Sequence, residues 1–541
     1  MKPQVLLYDT TLRDGTQGEG ISLSVDDKLK IARKLDGLGI HYIEGGWPGS
    51  NPKDMEFFLK ARELHLEHAT ITAFGSTRRA GIDVEEDDNL QKILDSGVKA
   101  VAIFGKTWDF HVLKALKTTL EENLNMIFES IQYLKRAGLE VIFDAEHFFD
   151  GYKHNPEYAL EAVQKAQEAG ADCIVLCDTN GGSMPHEIYD IVSHVVSKLS
   201  VMVGIHCHND CELGVANSLA AVRAGARHVQ GTINGYGERC GNANLISVIP
   251  NLQMKLNYSC VDESQLKNLI TVSKYVHEIA NQVPPNNQPF VGRSAFAHKG
   301  GMHVSAILKH PETYEHIPPE SIGNKRRVLV SELSGQSNVL FKAKEWNVKL
   351  DKHDPQSRKI LDKIKEQEHK GYQYEAAEAS FELMVREGLG ELKEFFQFDH
   401  FKIFIERDEA DVLRTEAVVK LRVNGEVVHT VSEGNGPVNA LDNALRKALE
   451  QYFPLIKKMY LSDYKVRVLD ETDATASTVR VLIESSDGKE KWSTIGVSAN
   501  IIEASWYALI DSVRYYLMKH EEEIEIVQSS KPEQRVGVVN H

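Results

Sequence analysis

Eight strand-like runs, separated by amphipathic helix-like stretches, fill the first part of this chain and restrict its fold more than any other feature. The runs are Val5–Tyr8, Tyr42–Glu44, Thr70–Phe74, Ala100–Phe104, Val141–Glu146, Cys173–Cys177, Met202–His208 and Val229–Ile233. Between them apolar residues recur at helical spacing, as in Glu121–Ala137, where Leu124, Ile127, Phe128, Ile131 and Leu134 share a face. Asn155-Pro156 opens the next helix and Gly170 closes it, as helix start and stop signals require. Eight strand–helix units in roughly 255 residues match an α/β (β/α)8 TIM barrel in number and size. A doubly wound open sheet is the alternative. In a barrel the C-terminal strand ends hold the active site, and here those ends are polar. They carry Asp9 to Asp14, Glu44, Asp144 with Glu146, Asp178-Thr179, His206 with His208, and the loop Asn234 to Asn244.

A chain of 541 residues is too long for one core. Residues 1–265 are expected to form the barrel. From 266 to 389 the strand rhythm stops and charged helical stretches such as Pro355–Lys370 follow Pro284-Pro285, which reads as helical linker subdomains. Residues 390–525 contain a diverged repeat. Phe398–Ile403, Ala417–Val423, Glu426–Ser432 and the helix Pro437–Tyr452 match Leu461–Val466, Ser477–Glu484, Lys491–Val497 and the helix Ile501–Lys519. Two βββα units predict a small α+β domain, outside the catalytic machinery. Residues 526–541 read as a flexible tail.

The net charge of −16 argues against a nucleic-acid partner, because phosphate neutralisation needs a basic face. No run approaches the ~18 apolar residues of a membrane span, and the first residues lack a signal-peptide core. The six cysteines (173, 177, 207, 211, 240 and 260) cluster in one stretch of a long chain, unlike a disulfide framework, so a cytoplasmic setting is expected. A four-thiolate zinc site is disfavoured, since Cys207 alternates with the histidines and must face away from them.

His206-Cys207-His208 places two imidazoles on one face at a strand end. Hydrogen-bonded core histidines are the bland explanation. With Asp14 they form a two-His, one-carboxylate set suited to a divalent cation with open positions, and magnesium, manganese and zinc all remain open. Arg13 is placed to clamp a substrate carboxylate. The glycine-rich loop Asn234–Asn242 lacks the spacing of a dinucleotide fingerprint and reads instead as a turn that brings Asn242 to the cation. Lys325-Arg326-Arg327 reads as a solvated face rather than a CoA phosphate site.

The segments Asp9–Gly15, His206–Asp210, Gly237–Asn242 and Gly300–His303 together resemble the isopropylmalate/homocitrate/citramalate synthase family, over nearly the whole chain. Within it, Tyr42–Pro52 with its Gly-Gly-Trp-Pro is similar to the citramalate synthase branch. The resemblance implies condensation of acetyl-CoA with a 2-oxo acid, pyruvate in that branch, to give (R)-citramalate. Isopropylmalate or homocitrate synthesis is the nearer alternative and a hydroxymethylglutaryl-CoA-type lyase the more distant one. It further implies that Asp14, His206, His208 and Asn242 hold the metal, and that Arg13 and Thr179 hold the oxo acid. Glu146, His303 and Tyr314 would move protons, with His303 arriving from the linker of this chain or of a second subunit. Asp144, Phe74 and Phe104 would line the substrate pocket, the two rings leaving space for a methyl group. A homodimer and an amino-acid feedback inhibitor are also implied.

Overall fold

The computed structural model describes residues 2–329, 336–348, 355–407, 412–469 and 477–529. They fall into two compact units: Met1–Phe296 with Glu315–Arg326, and Ala297–Tyr314 with Arg327–His541.

In the first unit, eight parallel strands close into a barrel in sequence order: β1 (Leu6–Asp9), β2 (Tyr42–Gly46), β3 (Thr70–Ser76), β4 (Ala100–Lys106), β5 (Glu140–Glu146), β6 (Cys173–Asp178), β7 (Met202–Cys207) and β8 (His228–Gly231). β8 closes on β1 with Leu6 opposite His228 and Asp9 opposite Gly231. The helices between strands start where the sequence supplies caps. Ser24 and Asp27 form a capping box for Val25–Gly37, and the side chains of Asn51, Thr119 and Asn155 cap Pro52–Ala61, Leu120–Arg136 and Pro156–Glu168. Their apolar faces pack on the outside of the barrel in one continuous core that includes Phe57, Ile127, Phe143 and Val163. The interior is a separate cluster of Tyr8, Phe74, Ala102, Ile142, Cys173, Val175 and Cys177. One buried ion pair serves the mouth. Lys28 Nζ binds Asp54 at 2.6 Å and the Gly45 carbonyl at 2.9 Å, while Asp54 accepts the Trp47 N–H at 3.0 Å and so fixes the exit of β2.

The second unit contains a two-stranded parallel sheet, β9 (Ala297–His298) with β10 (Arg327–Val328), and two antiparallel three-stranded sheets. The first of these is β11 (Gln397–Arg407), β12 (Leu413–Val423) and β13 (Glu426–Gly434). The second is β14 (Tyr460–Val468), β15 (Val479–Ser486) and β16 (Lys491–Ser498). The expected repeat is visible down to its irregularities, since the register shifts at Phe398/His400 in one copy and at the equivalent Leu461/Asp463 in the other. Helices Pro437–Leu449 and Ile501–Lys519 share one core through Leu441, Leu445, Trp506, Leu509 and Val513. Packing does not follow the boundary expected at residue 390. Val339, Ile360, Ile364, Phe381 and Val385 form a cluster with Ile495 and Val497 of β16. The last described helix, Glu521–Ser529, contains the first residues of the expected tail, and 530–541 lie outside the described residues.

His228 of β8 lies inside the barrel beside the rings of Tyr8 and Tyr42, at centroid distances of 5.3 and 5.7 Å. Burial, and secondarily the charge of His41, push it down to about 3. The unfolded chain protonates it near its ordinary value of 6.5. Its stabilising contribution is therefore complete above that value and is lost as pH falls towards 3. Chemical denaturation at a series of pH values from 7 to 4 should show the acid-side slope reduced in His228→Leu, and an unchanged slope would contradict this assignment.

Candidate active site

The site begins with how the chain leaves β1. Asp9 is buried and accepts both the Thr11 N–H (2.9 Å) and the Thr11 hydroxyl (2.8 Å), which pins the turn that carries Arg13 and Asp14 inward. Burial pushes Asp9 up to about 7 in spite of these donors. The completely buried Glu44 of β2 receives Tyr8 Oη (3.1 Å), Thr10 Oγ1 (2.9 Å), Arg13 Nε (2.6 Å) and Arg13 Nη2 (3.3 Å). This two-point grip sets the guanidinium plane 3.8 Å over the Phe74 ring and leaves Nη1 3.6 Å from Asp14 Oδ2.

Asp14 Oδ2 lies 3.5 Å from His206 Nε2 and 3.8 Å from His208 Nε2. One ligand atom from each of the three residues falls within 4.8 Å of the others, and all three residues are buried. Burial raises the Asp14 carboxyl, but the Arg13 guanidinium and both imidazoles outweigh it and hold the group below the usual carboxylate range. Burial, reinforced by the charge of His206, lowers His208 to about 4, so its ring is neutral at physiological pH. Asn242 comes from the loop after β8 and bridges His208 in a short antiparallel contact. That loop closes through Gly241, at φ +87°, where a Cβ would meet the Gly235 carbonyl at 1.9 Å.

Two buried oxygens, Asp14 Oδ1 and Asn242 Oδ1, have no hydrogen-bond partner among the described residues. Orphaned acceptors beside two imidazoles are what a cation would satisfy, so the residues present fit a divalent metal. One contact must open for it. Arg239 Nη2 lies 2.9 Å from His208 Nδ1, and an arginine nitrogen only donates, so with this contact the His208 proton sits on Nε2. The same guanidinium holds Asp210 (2.7 and 3.0 Å) and the Thr179 carbonyl (2.8 Å).

The set opens onto a cleft of about 230 Å³ lined by Arg13, Trp47, Phe74, Phe104, Thr179 and Glu238, among others. Phe74 and Phe104 stack at 5.5 Å, and Trp47 meets both edge-on at 5.6 and 5.8 Å. Thr179 Oγ1 accepts the His147 N–H at 2.9 Å and retains its own proton for a ligand. Asp144 also lines the cleft. Burial and the Glu44 carboxylate push it up to about 8, against the pull of Arg13 and the Gln230 amide. Glu146 at the end of β5 forms an ion pair with Lys106, its register partner on β4.

His303 and Tyr314 belong to the second unit, where their rings stack at 4.2 Å; both are exposed. Arg326 pairs with Glu315 and Arg327 with Glu378, which commits two members of the basic triplet to local ion pairs. The residues that sequence reasoning passed over are Trp47, Lys106, Gln230 and Arg239. In the sequence Trp47 stands out only as a branch signature. Gln230 could have been found by alternation along β8, where it shares the inward face with His228.

The family described as HMGL-like matches residues 4–276, the homocitrate synthase post-HMGL domain-like family matches 290–371, and the LeuA allosteric (dimerisation) domain matches 375–517. The (R)-citramalate synthase of Aquifex aeolicus is 57% identical over 97% of this chain and 99% of its own length. That of Geobacter sulfurreducens is 57% identical over 96% and 98%. A 2-isopropylmalate synthase of Methanocaldococcus jannaschii is 33% identical over 96% of both chains. The chain belongs to the HMGL-like family and, within it, to the branch of the (R)-citramalate synthases.

Proposed function

We propose that this chain condenses acetyl-CoA with pyruvate and water to give (R)-citramalate and CoA, the first step of an isoleucine route that does not pass through threonine. The observation that carries the reading is the buried Asp14–His206–His208 set facing a wall of three aromatic rings. The branch to which the chain belongs supports it.

Asp14, His206, His208 and Asn242 would hold a divalent cation, with magnesium, manganese and zinc all compatible with these donors. When bound, it supplies Lewis-acid polarisation of the keto carbonyl. Arg13, with Nε and Nη2 committed to Glu44, has Nη1 to offer the oxo acid's carboxylate, and Thr179 has its hydroxyl. Glu146 takes a proton from the acetyl methyl once Lys106 releases it, and the carbon so activated attacks the keto carbon. His303, assisted by Tyr314, exchanges protons with the oxygen and thioester sites. Hydrolysis of the product thioester makes the sequence irreversible. Trp47, Phe74 and Phe104 leave space for a methyl substituent.

Residues of the second unit would serve dimerisation and feedback. On the face of the first antiparallel sheet turned away from its buried Ala417 and Val419, Phe404, Val427 and Val431 are exposed, apolar residues that a second copy of this chain would cover. The loops Gly434–Pro437 and Gly496–Asn500 lead into helix starts. Asn500 already caps the second by accepting the Ile502 and Glu503 N–H groups, whereas Gly436 leaves the first without a side-chain cap, where an amino acid's carboxylate would be favoured. Isoleucine is the expected inhibitor, leucine if the substrate is branched.

Chelation should abolish turnover and a divalent cation should restore it, while His206→Ala or His208→Ala removes turnover without unfolding; near-normal activity after full chelation contradicts the metal set. CoA release assayed with pyruvate, 2-oxobutyrate, 2-oxoisovalerate and 2-oxoglutarate should favour pyruvate. Phe104→Ala should raise the relative kcat/KM of the larger acids by up to the ~1–3 kcal/mol worth of a methylene. An unmoved preference means that this ring does not set substrate size. In the full-length enzyme isoleucine should inhibit, and insensitivity to both isoleucine and leucine would remove the feedback role.

A further inference from the structure

A histidine offers a lone pair on Nε2 only when its proton sits on Nδ1, and nothing in a strand-borne imidazole by itself fixes that choice. At His206 the barrel interior supplies the missing constraint. His206 Nδ1 lies 2.8 Å from Gln230 Oε1, and Gln230 Nε2 lies 2.9 Å from Asp144 Oδ1. The three residues come from β7, β8 and β5, with Gln230 directly opposite His206 in the parallel register. All are buried, at 6, 0 and 4% exposure, so no solvent competes for these bonds.

The direction of the chain is the one the Gln230 amide takes, with its nitrogen on Asp144 and its oxygen on His206. Asp144 Oδ1 can accept whether or not the other carboxyl oxygen carries a proton, because a protonated carboxyl keeps a carbonyl lone pair. Once the amide nitrogen of Gln230 is turned to Asp144, its oxygen faces His206 and can only accept. The His206 proton is then held on Nδ1, and Nε2 turns its lone pair towards Asp14, 3.5 Å away. We propose that Gln230, oriented by Asp144, is the positioning residue that holds His206 in the Nδ1–H form and so readies it for the cation. The arrangement matches the hydrogen bond that commonly runs from a carboxylate to a metal-binding imidazole, with one amide interposed. Asp144 is thereby placed in the support of a ligand as well as in the lining of the cleft. His208 contrasts with it, since its Nδ1 faces the Arg239 donor.

The inference rests on the metal set put forward above, and the test separates the two. Affinities of the full-length protein for Mn²⁺ and Zn²⁺ are measured by competition with a chelator, together with the Tm of each metal-free variant. Gln230→Met keeps the side-chain length but removes both polar atoms, and should weaken binding by about 10–100-fold with little change in Tm. Gln230→Glu keeps an acceptor for Nδ1–H and should return the affinity to near the wild-type value. Wild-type affinity in Gln230→Met, or equal weakening in both variants, would overturn the positioning role while leaving the metal set intact. A wild-type protein that binds neither cation would overturn the metal set and this inference with it.

Discussion

The mouth of the barrel depends on a carboxylate buried without enough partners. Asp14 has one oxygen beside Arg13, His206 and His208 and the other unpaired, at a position 2% exposed. An unsatisfied buried acceptor costs about 1–3 kcal/mol, more when charged. The surrounding structure maintains it at that cost. Asp9 pins the turn, Glu44 fixes Arg13, and the glycine loop delivers Asn242 with a second unpaired oxygen. Such an arrangement is stable as a site for a cation and poorly explained as a stabilising core.

The same logic explains the aromatic wall. Trp47 is held by Asp54, whose carboxylate takes its N–H, and by Asn89, whose side chain takes the indole N–H at 2.6 Å. Lys28, buried within the first helix, neutralises Asp54. Pocket size therefore depends on an ion pair behind β2, so substitutions at Lys28 or Asp54 act on the wall as well as on stability.

The barrel was legible because its strands are buried on both faces and bounded by turns, and the repeated sheets because each copy repeats the same alternation. Asp14, His206 and His208 were legible because strand periodicity puts residues two apart on one face. What escaped was set by contacts distant in sequence. Lys106 was missed because β4 runs two residues beyond its expected end at Phe104, into register with Glu146. Arg239 reaches His208, Asp210 and Thr179 only after the loop folds back. Within the linker stretch, Glu315–Arg326 groups with the barrel while the stretches on either side of it group with the second unit, a division that follows contacts rather than chain order.

The most direct measurement is a crystal structure of the cation-loaded protein with anomalous scattering recorded at the metal edge. The account predicts one strong peak bound by Asp14, His206 Nε2 and His208 Nε2 at roughly 2.0–2.3 Å, with Arg239 withdrawn from His208 Nδ1. A peak elsewhere, or a cation beside Asp14 with Arg239 still on His208 and that ring unligated, would contradict it.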